Sequence, residues 1–97
     1  MFKCWITTVA DGKIIHNLTC DWPGGDMEQS LRDTLDQACP KLDLSRPIIM
    51  KKHVDDLRQF HRTRFLPDHF IDDVPFDRME LEVFEAGKKR KINPAYL

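Results

Sequence analysis

The sequence has no apolar run near the ~18 residues that a membrane-spanning helix needs, and it has few cysteines and glycines. Its three cysteines are an odd number at wide spacing, which argues against the paired disulfides of a small secreted domain. Its four glycines form no phosphate-binding or dinucleotide-binding motif. The residues from Met1 to Trp5 already have a strand-like pattern, so we expect no signal peptide. We therefore expect a cytoplasmic protein without a membrane segment or a cofactor.

An excess of one charge sign is also lacking, because the net charge is −1 although 32% of the 97 residues are charged. The charges nevertheless form blocks, with residues 46–66 basic and residues 67–85 acidic. Adjacent blocks of opposite sign neutralise each other most simply within the fold, which disfavours a dedicated nucleic-acid face. The length and the 41% apolar fraction are typical of one globular domain. We assign it to residues 1–92, with residues 93–97 as a C-terminal tail.

Apolar residues occupy alternate positions on both sides of the turn signal 10–13, which predicts a β-hairpin. A two-residue loop would pair even positions with odd ones and mix the apolar and polar faces. A three-residue loop ending at Gly12 keeps even positions together and places Cys4 opposite Leu18 and Ile6 opposite His16. Cys4 and Cys20 are then not direct neighbours, so this register does not favour a disulfide between them.

The remainder of the chain alternates helical and strand patterns. One helix is predicted from an Asp26 N-cap to about Cys39, before Pro40, and a second from His53 to about Phe65. Strands are predicted at 48–50 and 79–83, a long irregular connection at 66–76, and either an edge strand or the start of the tail at 88–92. The order ββαβαβ predicts an α+β fold, a mainly antiparallel sheet with helices on one face.

The odd-numbered face of the hairpin is the predicted partner surface. If the helices cover the even face, Trp5, Val9 and Ile15 are exposed together, as aromatic and aliphatic interface residues often are. Phe84 extends this patch, and Phe76 is a further candidate. The alternative is that the 66–76 connection or Tyr96 covers Trp5.

A second hypothesis is nucleic-acid binding by the basic residues of the middle of the chain. The candidates are Lys51, Lys52, Arg58, Arg62 and Arg64, together with the basic residues at 88–91. Arg58 and Arg62 are four residues apart and would share one face of the predicted helix. Phosphate neutralisation needs several such cations on one face. The alternative is a solvated helix with local ion pairs.

A third hypothesis is a metal site formed by imidazole and carboxylate groups. The candidates are His61, Asp68, His69 and Asp72, with Asp73 and His53 as further members. These ligand types suit zinc, iron or manganese, but their spacing matches no known metal-binding motif. The alternative is that the histidines pack or pair with carboxylates while the aspartates face water.

Catalysis by a cysteine is not favoured, because the three cysteines lie on predicted buried faces. A nucleophile would need an exposed, electropositive setting and a nearby base, for which His16 is the one candidate on the hairpin. We therefore interpret the chain as a non-enzymatic protein-interaction module, with self-association as a homodimer through the outer face of the hairpin as one form of that interaction. Nucleic-acid association is the alternative, and a metal-binding protein or metal enzyme is the third.

Overall fold

The computed structural model describes residues 2–86, which form four strands and two helices. In chain order these are β1 (Phe2–Ala10), β2 (Lys13–Trp22), α1 (Met27–Lys41), α2 (Lys51–Phe60), β3 (Arg62–Phe65) and β4 (Arg78–Glu85). A one-turn 3₁₀ helix, Pro67–His69, follows β3. The sheet order is β2–β1–β4–β3 with every neighbouring pair antiparallel, which confirms the predicted α+β class. None of the helices in this part of the chain is long and apolar enough to cross a membrane.

The helices share one face of the sheet, and the core lies between them and the strands. Alternate residues of the strands, such as Ile6 and Leu81, are fully buried against Leu31 and Leu35 of α1 and Leu57 of α2. The period-two pattern of the strands therefore has the expected physical cause, burial of one face only. The predictions for residues 88–92 and for the tail 93–97, including Tyr96, concern residues outside the described range.

The hairpin register differs from the prediction by two residues. The loop is the two-residue turn Asp11–Gly12, with φ of 52° and 75°, and both values are those of the type I′ turn that matches strand twist. A β-bulge opposite Thr8 and Val9 accommodates Ile15 as an extra residue of β2 and brings even positions back together. Cys4 is therefore opposite Cys20, contrary to the predicted register.

Although they are cross-strand neighbours, Cys4 and Cys20 are free thiols, as is Cys39. All three are buried, and burial raises the pKa of each thiol, that of Cys39 to about 11. A raised pKa removes the thiolate that a nucleophile needs. The predicted candidate base, His16, instead forms a hydrogen bond between its Nδ1 and the Thr8 hydroxyl at 2.8 Å.

Helix α1 begins where the sequence predicts and ends slightly later. The Asp26 carboxylate accepts a hydrogen bond from the Gln29 N–H at 2.8 Å, the expected N-cap contact. The helix continues through Pro40 to Lys41, so the predicted end at Cys39 is wrong by two residues. Proline removes only one intrahelical N–H, and Leu42 closes the last turn by donating to the Ala38 and Cys39 carbonyls.

The segment between the helices and β4 contains the main errors of the prediction. Residues 48–50 are not a strand, and α2 ends at Phe60 instead of Phe65. The helix ends because His61 adopts the left-handed conformation, with φ of 61°, which reverses the chain into β3. The 66–76 connection packs into the core through Phe70 and Phe76, whose rings lie 5.4 Å apart. Phe76 is therefore a core residue and does not extend the partner patch.

Candidate functional site

The candidate site is the face of the sheet that points away from both helices, here called the open face. Because the strands pair in antiparallel register, its side chains form rows that cross the sheet from β2 toward β3. The rows are Asp21–Lys3–Phe84, Thr19–Trp5–Glu82–Arg62, Asn17–Thr7–Glu80–Arg64 and Ile14–Val9–Arg78.

Trp5 lies at the centre of this face, on the inner strand β1. Its indole Nε1–H donates a hydrogen bond to the side-chain oxygen of Asn17, one row away on β2. The ring is half-buried, and its direct neighbours across the strands are Thr19 and Glu82. A tryptophan positioned by this hydrogen bond at the middle of a face can serve as an apolar anchor, and tryptophan is enriched among interface hot spots.

Charged side chains of both signs surround the anchor. Arg78 forms an ion pair with Glu80, at 3.3 Å between Nε and Oε1, and both side chains stay partly exposed to solvent. Arg62 and Arg64 project from β3 and are exposed, and within residues 2–86 neither forms an ion pair. These two guanidinium groups can therefore donate to an incoming acceptor without first breaking such a pair.

A groove of about 660 Å³ follows the open face. Its lining extends from Gly12 and Ile14 at the hairpin turn to Asp56 and Phe60 of α2. Ile14 and Phe60 each keep 60% of their surface exposed, so both ends of the groove are apolar. Between them the lining carries three arginines and two glutamates, and Asp56 makes the numbers of basic and acidic groups equal. The volume is within the ~300–1,000 Å³ range of binding pockets for small ligands or a few side chains.

The predicted partner residues are only partly exposed together. Trp5 and Phe84 lie on the open face, and both are half-buried. Val9 also lies on this face but is buried, so its predicted exposure is wrong. Ile15 is exposed but belongs to the bulge, and Ile14 occupies the position beside Val9 instead.

The predicted nucleic-acid residues lie on different elements. Lys51 and Lys52 begin α2, Arg58 is near its end, and Arg62 and Arg64 belong to β3. The expectation that Arg58 and Arg62 share a helix face is therefore wrong, because the helix ends between them. The basic residues at 88–91 lie outside the described range.

The predicted metal ligands do not converge. His61 is exposed at the end of α2, Asp72 accepts a hydrogen bond from the Ser45 hydroxyl at 2.9 Å, and Asp68 is exposed. His69 is buried, and its Nδ1 accepts the Leu66 N–H at 2.9 Å. A neutral histidine that accepts through Nδ1 carries its proton on Nε2, so it offers a metal no free lone pair. Among residues 2–86 no group of three or more histidine, cysteine, aspartate or glutamate side chains is placed to hold a metal ion.

Sequence reasoning missed the acidic and basic rows of the open face. The alternation of Arg62 and Arg64 with Thr63 and Phe65 was a period-two signal, but it was assigned to a helix.

The chain matches no protein-family model, no curated protein and no solved structure.

Proposed function

We propose that this chain is a non-enzymatic protein-interaction module that binds a segment of a partner protein along its open face. The observation that carries the proposal is a Trp5-centred groove with apolar ends at Ile14 and Phe60 and arginines available between them. Aromatic and arginine side chains are enriched at the energetically dominant positions of protein interfaces. A partner segment of matching chemistry has apolar side chains at both ends and an acidic side chain facing Arg62 and Arg64.

The balance of charges supports a protein partner over a nucleic acid. The groove lining has as many acidic as basic groups, and Glu80 and Glu82 lie on the strand next to the two arginines. A polyanion following the groove would meet these carboxylates, which offsets the phosphate contacts that dominate nucleic-acid affinity. A protein segment can place charges of both signs to match such a surface.

Self-association is one form of the same proposal, since a second copy would also present Trp5, arginines and carboxylates.

We further propose a cytoplasmic location, which three free, buried thiols support because reducing compartments keep cysteines unpaired.

The test is capture from cell lysate with a matched pair of charge reversals. Arg64→Glu changes a groove residue, and Arg58→Glu makes the same change at an exposed position of α2 outside the groove lining. We expect Arg64→Glu to lower recovery of the partner at least ~10-fold, because it replaces a donor with a like charge facing the partner's acidic group. Arg58→Glu should retain the wild-type recovery.

A parallel capture after nuclease treatment separates the two classes of partner. For a protein partner we expect the same captured proteins with and without nuclease. Loss of all captured material on nuclease treatment, with both reversals weakening recovery, would instead establish nucleic-acid binding. Equal capture of the same proteins by the wild type and by Arg64→Glu would show that the groove is not the binding surface.

A further inference from the structure

Two histidines occupy equivalent positions near the starts of two successive helices, α2 and the 3₁₀ helix that follows β3. His53 is the third residue of α2, and its Nδ1 accepts the N–H of Met50 at 2.9 Å. His69 is the third residue of the 3₁₀ helix, and its Nδ1 accepts the N–H of Leu66 at 2.9 Å. Each imidazole thus satisfies a backbone donor at a helix start, the part that glutamate or glutamine has in a capping box.

The two rings pack against each other inside the protein. Their centroids are 4.8 Å apart with an interplanar angle of 86°, and the Phe65 ring lies 4.1 Å from that of His53. His53 has no exposed surface and His69 is only 7% exposed. The pair therefore connects α2, β3 and the 3₁₀ helix at a largely buried point.

Hydrogen bonding fixes the tautomer of both neutral rings. Because each Nδ1 accepts from the backbone, each neutral ring must carry its proton on Nε2. The Nε2 of His53 is buried and has no hydrogen-bond partner in the described structure. A second proton can enter only at Nδ1, where it would face a backbone N–H and break the helix-start bond.

The charged groups that act on the pair come from α2 and the 3₁₀ helix. Lys52 disfavours the protonated form of both rings, while Asp56 favours it at His53 and Asp68 favours it at His69. Burial is the largest influence and lowers the pKa of both rings, and burial together with the neighbouring His69 and Lys52 lowers that of His53 to about 4. The two aspartates therefore do not compensate for burial.

We propose that the His53–His69 pair is a proton-operated latch, which holds the segment from α2 to the 3₁₀ helix on the sheet at neutral pH and releases it in mild acid. In the released state a proton from solvent occupies Nδ1 of each ring, and the Met50 and Leu66 N–H groups turn to water. Arg62, Arg64, Asp56 and Phe60 all belong to the latched segment, so release would also dismantle one side of the groove. That last consequence rests on the proposed function, and the latch itself does not.

The direction of the pH effect follows from proton binding. The pKa of His53 is about 4 in the folded state and returns toward its ordinary value of 6.5 when the segment opens. Between about pH 4 and pH 6.5 the open state therefore binds more protons than the closed state. The stabilisation is fully present above about pH 6.5 and is lost as the pH falls toward about 4. Between about pH 7 and pH 4.5, His53 alone should raise the opening equilibrium roughly fiftyfold.

Amide hydrogen exchange followed by NMR tests the latch. Protection factors, already corrected for the intrinsic pH dependence of exchange, should fall roughly fiftyfold for amides of α2 and β3 over this pH range. Protection in β1 and β2 should change much less. In the double variant His53→Gln with His69→Gln, glutamine keeps a carbonyl acceptor at the third helical position without titrating. We expect this variant to keep its protection within about twofold. The matched control is His61→Asn, which removes an exposed imidazole and keeps a residue that tolerates the left-handed conformation, and it should behave as wild type.

Two results would overturn the latch. One is pH-independent protection of the α2 and β3 amides in the wild type. The other is an acid-induced loss of protection in the double variant as large as that in the wild type, which would assign the effect to carboxylates. If the double variant does not fold, the imidazole titration of the wild type decides. The latch requires the pKa of each histidine to lie below its ordinary value, that of His53 near 4, together with the loss of protection, and a pKa for either histidine at or above its ordinary value contradicts it.

Discussion

Replacing Phe65 with alanine should lower the free energy of unfolding by about 3–5 kcal/mol. Phe65 is the last residue of β3, is fully buried, and packs its ring 4.1 Å from that of His53. Its truncation leaves a cavity where α2 meets the sheet, and close-packed surroundings collapse only partly into such a cavity. The loss is a large part of the about 5–15 kcal/mol that stabilises a typical domain.

Urea denaturation measures this effect, with the buried Trp22 as a fluorescence probe and circular dichroism as a second signal. The matched control is Arg64→Ala, the preceding residue on the opposite, exposed face of β3, which should cost less than about 1 kcal/mol. A cost below about 1 kcal/mol for Phe65→Ala would show that β3 does not contribute to the core as described.

Replacing Trp5 with alanine should weaken partner binding by about 2–4 kcal/mol, or roughly 30- to 1,000-fold in Kd. The indole is central on the open face and presents apolar surface between the two apolar ends of the groove. Truncation removes that surface and also leaves the Asn17 side chain without its indole donor. Because the ring is only half-buried in the free protein, the fold should lose much less stability than it does with Phe65→Ala.

Titration calorimetry with the captured partner would give this value, and the Trp5→Phe variant separates its components. Phenylalanine keeps an aromatic ring but has no N–H, so a loss of about 1 kcal/mol or less would assign most of the affinity to ring packing. Unchanged affinity of Trp5→Ala would place the binding surface elsewhere.

The sequence predicted the fold class and most elements because their signals are local. The period-two alternation in β1, β2 and β4 arises because each strand buries one face. The Asp26 cap of α1 arises because backbone donors of the first helical turn lie next to it in the sequence. The hairpin register was not predictable in the same way, because the Ile15 bulge has no strong residue signature. The end of α2 was missed because His61, a residue other than glycine, adopts the left-handed conformation.

The candidate site was predictable one strand at a time but not as a surface. The alternation in the hairpin correctly placed Trp5 away from the helices. The sequence could not show that β4 inserts beside β1, because strand order depends on long-range packing, so the rows of Glu80, Glu82, Arg62 and Arg64 were not foreseen. The histidine pair was missed for a similar reason, since the backbone contacts of His53 and His69 form only when two helical turns meet.

Site-specific photocrosslinking in cells tests the central claim, that the open face is a protein-binding surface. A benzophenone side chain would replace Arg62 on the open face or, as a matched control, Gln37 on the exposed side of α1. We expect a discrete, nuclease-resistant protein adduct from position 62 and no such adduct from position 37. An adduct of twice the chain mass would identify the partner as a second copy. Equal adducts from both positions, or none from position 62, would contradict the assignment of the open face as the binding surface.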